Sequence, residues 1–240
     1  MTKPKPALCG CLLDVSQERL AACLNHPSVE WIEWRLDHTI RSHSLEKTLE
    51  LLGALHSPER RPVIATNRAQ REGGVFNGDE ATRFAVLQKA SRDGAEWVDL
   101  EADVPAGVLE EFKSGNSAVL LSRHDFDATP DAAALRRTVE RMAARRPHAL
   151  KIVTYARSPE DNLRTLELIP FARREFGIET IAFCMGPLGL WSRFGCLLLG
   201  SPWTYVQLPG QEASAPGQVD AERMRALLDA GTWMFNVGPS

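Results

Sequence analysis

The stretch AVLLSRHDFDATPDAAALRRTVERMAARRPHALKIVT, Ala118–Thr154, holds one complete strand–helix–strand unit. It opens with a short apolar run, Ala118–Ser122, of strand length. A helical pattern spans Asp131–Ala144, and a second apolar run, Ala149–Thr154, is interrupted by a single lysine, Lys151. Two strand-length runs joined by a helix read as a parallel pair with its crossover.

The same alternation extends in both directions. Further strands are expected at Ala7–Leu13, Val29–Leu36, Pro62–Thr66, Glu96–Leu100, Thr180–Cys184 and Trp203–Leu208. The other helical patterns lie at Gln17–Leu24, Leu45–Leu55, Asp79–Arg92, Val108–Ser114, Pro159–Phe176, Leu190–Leu199 and Ala221–Ala230. Eight β/α units in 240 residues average about thirty residues each, the size of one compact unit. The fold class expected is therefore α/β, a single (β/α)8 TIM barrel over residues 1–240. An open doubly wound sheet would carry a Gly-rich phosphate turn after its first strand, and Asp14-Val15-Ser16-Gln17 stands there instead. No linker, low-complexity segment or longer repeat marks a second domain.

Composition narrows the function. With 44% hydrophobic and 25% charged residues the chain is an ordinary globular protein. A net charge of -3 offers no general attraction to nucleic acid or an anionic membrane, so an anionic small molecule must be met by locally placed Arg and Lys. The five cysteines are odd in number and lack C-x-x-C spacing, which argues against a disulfide framework and a zinc ribbon. No secretory signal or membrane span is visible, and a cytoplasmic location is expected.

In such a barrel the active site lies at the C-terminal ends of the strands. The second strand carries Trp31, Glu33, Arg35 and Asp37 at alternate positions, so Glu33 and Arg35 share a face, either as a structural ion pair or as a polar site floor. After the third strand, Arg68 is a candidate for binding an anion, Glu72 for orienting a catalytic base, and Gly73-Gly74 allows a turn close to a ligand. His124 is the one histidine at a catalytic strand end, where its ordinary pKa of about 6.5 suits acid–base work. Lys151 lies inside an apolar strand; it is either a structural ion pair, with Glu33 as partner, or a desolvated amine able to attack a carbonyl. Arg193 opens the helix after the seventh strand, and Gly210–Gln218 has the small, flexible composition of a lid.

In this order Glu33-Trp34-Arg35, Arg68 with Glu72-Gly73-Gly74, Ser122–Phe126, Lys151, Met185-Gly186 with Ser192-Arg193, and Ser214–Gln218 closely resemble type I 3-dehydroquinate dehydratase, from about Val29 to Gln218. The resemblance implies dehydration of 3-dehydroquinate to 3-dehydroshikimate through a lysine imine in the shikimate pathway, without metal or cofactor. On it Lys151, His124 and Glu72 are catalytic. Glu33, Arg35, Arg68, Arg193, Ser214 and Gln218 bind substrate, Arg193 through its carboxylate. A homodimer is compatible with this reading, and no nucleic-acid or membrane partner is expected.

Two departures stand out. Residues 1–6 are too few for the hairpin that closes the barrel bottom in many members, so side chains alone or another chain must close it. The first strand, Ala7–Leu13, offers no serine to face the site. The rivals are an imine-forming aldolase, which would need different neighbours around the lysine, and a silent carboxylate-binding barrel, which would not need every reactive position filled.

Overall fold

The computed structural model describes residues 6–14 and 16–230. Its elements are β1 Ala7–Leu12, α1 Gln17–Leu24, β2 Trp31–Arg35, α2 Leu36–Ser42, α3 Leu45–Leu51, β3 Val63–Thr66, α4 Glu80–Arg92, β4 Trp97–Glu101, α5 Ala106–Lys113 and β5 Ala118–His124. They continue with α6 Ala132–Ala144, β6 Ala149–Tyr155, α7 Pro159–Leu166, α8 Leu168–Phe176, β7 Glu179–Met185, α9 Ser192–Leu198, β8 Trp203–Gln207 and α10 Ala221–Ala230.

All strand pairs are parallel, in the order β7-β6-β5-β4-β3-β2-β1-β8. The rings of Phe183 and Tyr205, 6.2 Å apart, meet across the remaining seam between β7 and β8. The result is a nearly closed (β/α)8 barrel. Its strands are buried on both faces, because side chains fill the interior and helices cover the outside. Helix starts follow from local chemistry: the carboxylates of Asp79 and Asp131 accept from the amides of Thr82 and Ala134, each at 2.7 Å, capping α4 and α6.

Three expectations are corrected. The alternation of β2 stops at Arg35, and Asp37 belongs to the helix α2, which was not expected. The pattern at Leu45–Leu55 divides into α3 and a 3-10 turn, Leu52–His56. Pro159–Phe176 is two helices, because Pro170 has no N–H for the carbonyl of Leu166 and its ring crowds that carbonyl, so α7 ends there.

The barrel bottom is filled by aromatic side chains. Trp31, Trp97 and Trp203 occupy the first positions of β2, β4 and β8, and His148 immediately precedes β6. Trp203 stacks on Trp31 at 5.4 Å and meets Trp97 edge-on at 5.7 Å, while Trp97 meets His148 edge-on at 6.3 Å. Three even strands, β2, β4 and β8, thus give one ring each to a single layer, and His148 adds a fourth from just before β6. Side chains close this end of the barrel. No helix among the described residues is long and apolar enough to cross a membrane.

Candidate active site

Two residues above the aromatic layer, the same four strands supply Glu33, Asp99, Lys151 and Tyr205. Inward side chains recur every second residue along a strand, so these four form the next layer. Lys151 is 4% exposed. Its Nζ donates to Glu33 Oε1 at 3.0 Å and Asp99 Oδ2 at 3.3 Å, and lies 3.9 Å from the centre of the Tyr205 ring. The expected partner, Glu33, is therefore present, and a second carboxylate joins it. Burial alone would raise the Glu33 carboxyl, but Lys151 and Arg35 hold it below the ordinary carboxylate range. Burial is likewise overcome at Asp99, by Arg68 and Lys151.

Arg68 is locked into this layer rather than left free. Its guanidinium pairs with Asp99 at 2.6 Å and Glu101 at 3.3 Å and donates to the Ser122 hydroxyl at 2.7 Å. Arg35 pairs with Asp37 through two hydrogen bonds, 2.9 and 2.7 Å, instead of with Glu33. Both arginines border the cavity with their charges already matched.

His124 ends β5, and its Nδ1 lies 3.0 Å from Glu72 Oε2, which also accepts from the His124 amide at 3.1 Å. That contact assigns the proton to Nδ1 and leaves Nε2 as the free ring nitrogen. Arg123 reaches the other Glu72 oxygen at 3.4 Å. Burial raises the Glu72 carboxyl to about 7 against the pull of Arg68, and burial with Arg68 and Lys151 lowers the His124 imidazolium well below its usual range. Gly73 follows Glu72 with φ of 75°, and a Cβ there would lie 2.2 Å from the Phe126 ring that stacks on His124. Glycine adopts this left-handed φ without strain and leaves the Phe126 ring in place.

Arg193, at the start of α9, is 1% exposed. It is the one arginine or lysine bordering the cavity with no carboxylate partner among the described residues. Its Nε is unbonded, one terminal nitrogen donates to the Pro216 carbonyl at 3.3 Å, and its guanidinium lies 4.6 Å over the Phe183 ring. Burial draws its pKa down to about 10. The Pro216 carbonyl also accepts from the Gly186 amide at 3.2 Å, which fastens the segment Gly210–Gln218 onto the loop after β7. Within that segment the Gln218 side-chain carbonyl accepts from the Ser214 amide and hydroxyl, at 2.6 and 3.1 Å.

Glu72, His124, Lys151, Arg193, Tyr205 and Ser214 all border one cavity of about 50 Å³, room for no more than a few waters. Glu33, Arg35 and Arg68 border it too; Gln218 does not. Its amide instead donates to the Cys11 thiol at 3.2 Å, and that thiol lies 3.4 Å from Glu33 Oε2. Cys11 is thus the side chain that the first strand, which has no serine, presents to the cavity. Burial, then Glu33, raises its thiol to about 12.

Sequence reasoning missed Asp99 and Tyr205. The signal was available: Trp97-Val98-Asp99-Leu100-Glu101 repeats the Trp–acid alternation of β2. Tyr205, flanked by Thr204 and Val206, carries no such mark. Among the described residues no group of three or more His, Cys, Asp or Glu side chains is placed to hold a metal.

Comparison with known proteins agrees with this geometry. Residues 13–232 match the family Type I 3-dehydroquinase. A 3-dehydroquinate dehydratase from Syntrophobacter fumaroxidans is 51% identical over 222 residues, covering 92% of this chain and 95% of that protein. One from Pyrobaculum aerophilum is 37% identical over 224 residues, covering 92% and 69%. The crystal structure of 3-dehydroquinate dehydratase from Geobacillus kaustophilus superposes with a TM-score of 0.86 at 28% identity, covering 96% of this chain and 92% of that one. With the family matched along nearly its whole length and the barrel shared, this chain belongs to the type I 3-dehydroquinase family.

Proposed function

We propose that the protein dehydrates 3-dehydroquinate to 3-dehydroshikimate through an imine on Lys151, as a step of the shikimate pathway. The observation that carries this reading is the convergence on one cavity of a buried lysine, a carboxylate-held histidine and a buried arginine without a carboxylate partner.

Attack on the ketone needs the neutral amine, so a proton must leave Lys151 first; Glu33, 3.0 Å away, is the nearest acceptor. The amine adds to the carbonyl and water departs, giving a protonated imine that withdraws electrons from the adjacent carbon. His124 removes a proton from that carbon through Nε2, with Glu72 steadying the imidazolium that forms. Expulsion of the hydroxyl, protonated by the same imidazolium, yields the conjugated imine and water. Hydrolysis then frees the product and restores the lysine.

Arg193 holds the substrate carboxylate, which gives its buried charge the partner it lacks. Arg35, Arg68 and Glu33 contact ring hydroxyls, and Ser214 and Gln218 reach the substrate from the lid. The small cavity supports a lid that lifts for entry, breaking the Pro216 contact to Arg193, and closes to keep water from the imine. A retro-aldol reading would require a proton acceptor for a substrate hydroxyl at the bond to be broken. The Glu72-held His124 instead suits proton removal beside the imine.

Borohydride added during turnover of 3-dehydroquinate tests the mechanism. One adduct of substrate or product mass, mapped to Lys151 and undiminished by a strong chelator, is expected. Turnover with no adduct, or loss of activity that zinc or magnesium restores, would remove the imine route.

A further inference from the structure

A large space that the active site does not use lies outside the barrel wall. Helix α6 leans toward α7 and α8, where Arg136 pairs with Glu167 and lies 5.3 Å over the Phe171 ring. On the opposite flank a cavity of about 510 Å³ opens between α6, the outer face of β5 and β6, and Ala102-Asp103 after β4. Small-molecule pockets commonly span about 300–1,000 Å³, so this one is ample for a ring with a substituent.

Its chemistry is two-sided. Leu135, Met142 and Ile152 are buried and give it an apolar floor. Arg123, Arg141 and Arg145 give it a cationic rim. Arg145 is held by the carbonyls of Ala102 and Val104, and Arg141 donates to the Thr138 hydroxyl; among the described residues neither has a carboxylate partner. The two acids on the rim are occupied: Asp103 takes both hydrogen bonds from Arg71, and Asp125 accepts the amides of Asp127 and Ala128. With Arg123 paired to Glu72 and Asp103 to Arg71, Arg141 and Arg145 face the one remaining charge of Asp125, so positive charge is in excess over an apolar floor. Arg123 also touches Glu72, so the rim shares a residue with the site inside the barrel.

We infer that this cavity is a second ligand site for a small carboxylate on a flat apolar ring, an arenecarboxylate, and that its occupant acts on the Glu72–His124 pair by drawing Arg123 away. The coupling half of the inference rests on the proposed role of that pair; the binding half does not. The charged groups around Glu72 are Arg68 from the loop after β3, Glu101 at the end of β4, and Arg123 and His124 from β5. Arg68 remains engaged by Asp99 and Glu101, so loss of Arg123 leaves Glu72 with less opposing charge and a higher proton affinity. Fewer molecules then carry the ionised Glu72 that orients His124, and turnover falls most at low pH.

The test uses benzoate as probe and inorganic phosphate as an anion without a ring. Calorimetric titration of the full chain is compared among wild type, Arg141→Glu and Arg193→Ala, with thermal melts to verify that each is folded. Arg141 is exposed and outside the catalytic cavity, so Arg141→Glu should keep wild-type turnover. Benzoate should bind wild type and Arg193→Ala alike, bind Arg141→Glu at least about tenfold more weakly, and outcompete phosphate. Binding lost in Arg193→Ala but kept in Arg141→Glu would place benzoate in the catalytic cavity and overturn the site. No saturable binding, or phosphate binding as well as benzoate, would overturn it too. These results need no turnover, so they stand apart from the dehydratase reading. In wild type, benzoate should also shift the acid limb of kcat/KM to higher pH, and in Arg141→Glu it should not; binding without that shift overturns the coupling.

Discussion

Replacing Asp99 by Asn keeps the shape of the side chain and removes its charge from the middle of the barrel. The carboxylate is fully buried and takes three donors: Arg68 at 2.6 Å, Lys151 at 3.3 Å and the Ser122 hydroxyl at 2.6 Å. An asparagine offers one accepting oxygen, and its NH2 must face at least one of these donors. Breaking a buried ion pair from one side typically costs 3–5 kcal/mol. Here Arg68 keeps Glu101 and Lys151 keeps Glu33, so the lower end applies, about 3 kcal/mol. For a chain of this size each kcal/mol moves Tm by roughly 2–4 °C, so Asp99→Asn should melt about 6–12 °C below wild type at pH 7.

The sign of its pH dependence follows from the lowered Asp99 pKa. A carboxyl held below its unfolded value contributes stability that is fully present above about pH 4 and is lost as pH falls toward the folded value. The gap in Tm should therefore be constant from about pH 5 to 8 and narrow only below that range. Turnover should fall as well, by up to about 100-fold, because the lysine loses one of the two groups that orient it. Circular dichroism melts over a pH series and steady-state kinetics provide the readout. A Tm within about 2 °C of wild type at pH 7 would mean that Asp99 does not hold the layer together.

His124→Ala should slow dehydration about 10²–10⁴-fold and accumulate a covalent adduct, seen by intact mass without reductant; near-normal turnover would make His124 a packing residue. Because burial holds Glu72 near 7 and its ionised form orients His124, kcat/KM should drop about tenfold per pH unit below about pH 7; a limb near pH 4 would refute the pairing. Arg193→Ala should weaken binding of substrate but not of an analogue lacking the carboxylate, whereas equal losses for both would place the carboxylate elsewhere. Trp203→Ala should cost about 3–5 kcal/mol in urea titrations while sparing kcat below the melt, and a large loss of kcat in the folded variant would show that the aromatic floor takes part in the site.

The fold was legible because each β/α unit carries its own signal: a short apolar run, a helical period, and a polar break at the strand's end. Every predicted strand is present within about two residues at each end. What escaped were features set by context. Asp37 continued the period of β2, but its pairing with Arg35 and with the amide of Val75 belongs to the start of α2, which no local pattern announced. Of the site, the residues with unusual chemistry for their surroundings were legible: a lysine in an apolar strand, a histidine at a strand end, a Gly-rich turn. Partners were harder. Glu33 was identified as a partner for Lys151, whereas Asp99 and Tyr205 meet it only because β4 and β8 place them in its layer, and register between distant strands leaves no mark in either one.

The layers also account for the position of the lysine. At two-residue steps the even strands lay down Trp31, Trp97 and Trp203, then Glu33, Asp99, Lys151 and Tyr205, and then Arg35, Glu101, Val153 and Gln207. The first set fills the barrel from below with rings, so the charged set above it meets no solvent from that side. An ammonium placed there must be matched by protein groups, and two carboxylates and an aromatic face do so. One residue further toward the N-terminus of β6, an inward lysine would be impossible, because Leu150 faces the helices; two residues further, at Ala149, it would lie in the layer of the tryptophans, one step below Glu33 and Asp99. Position 151 is the first inward step of β6 at which a lysine is both paired and open to the cavity above, and the chemistry proposed for it requires both conditions.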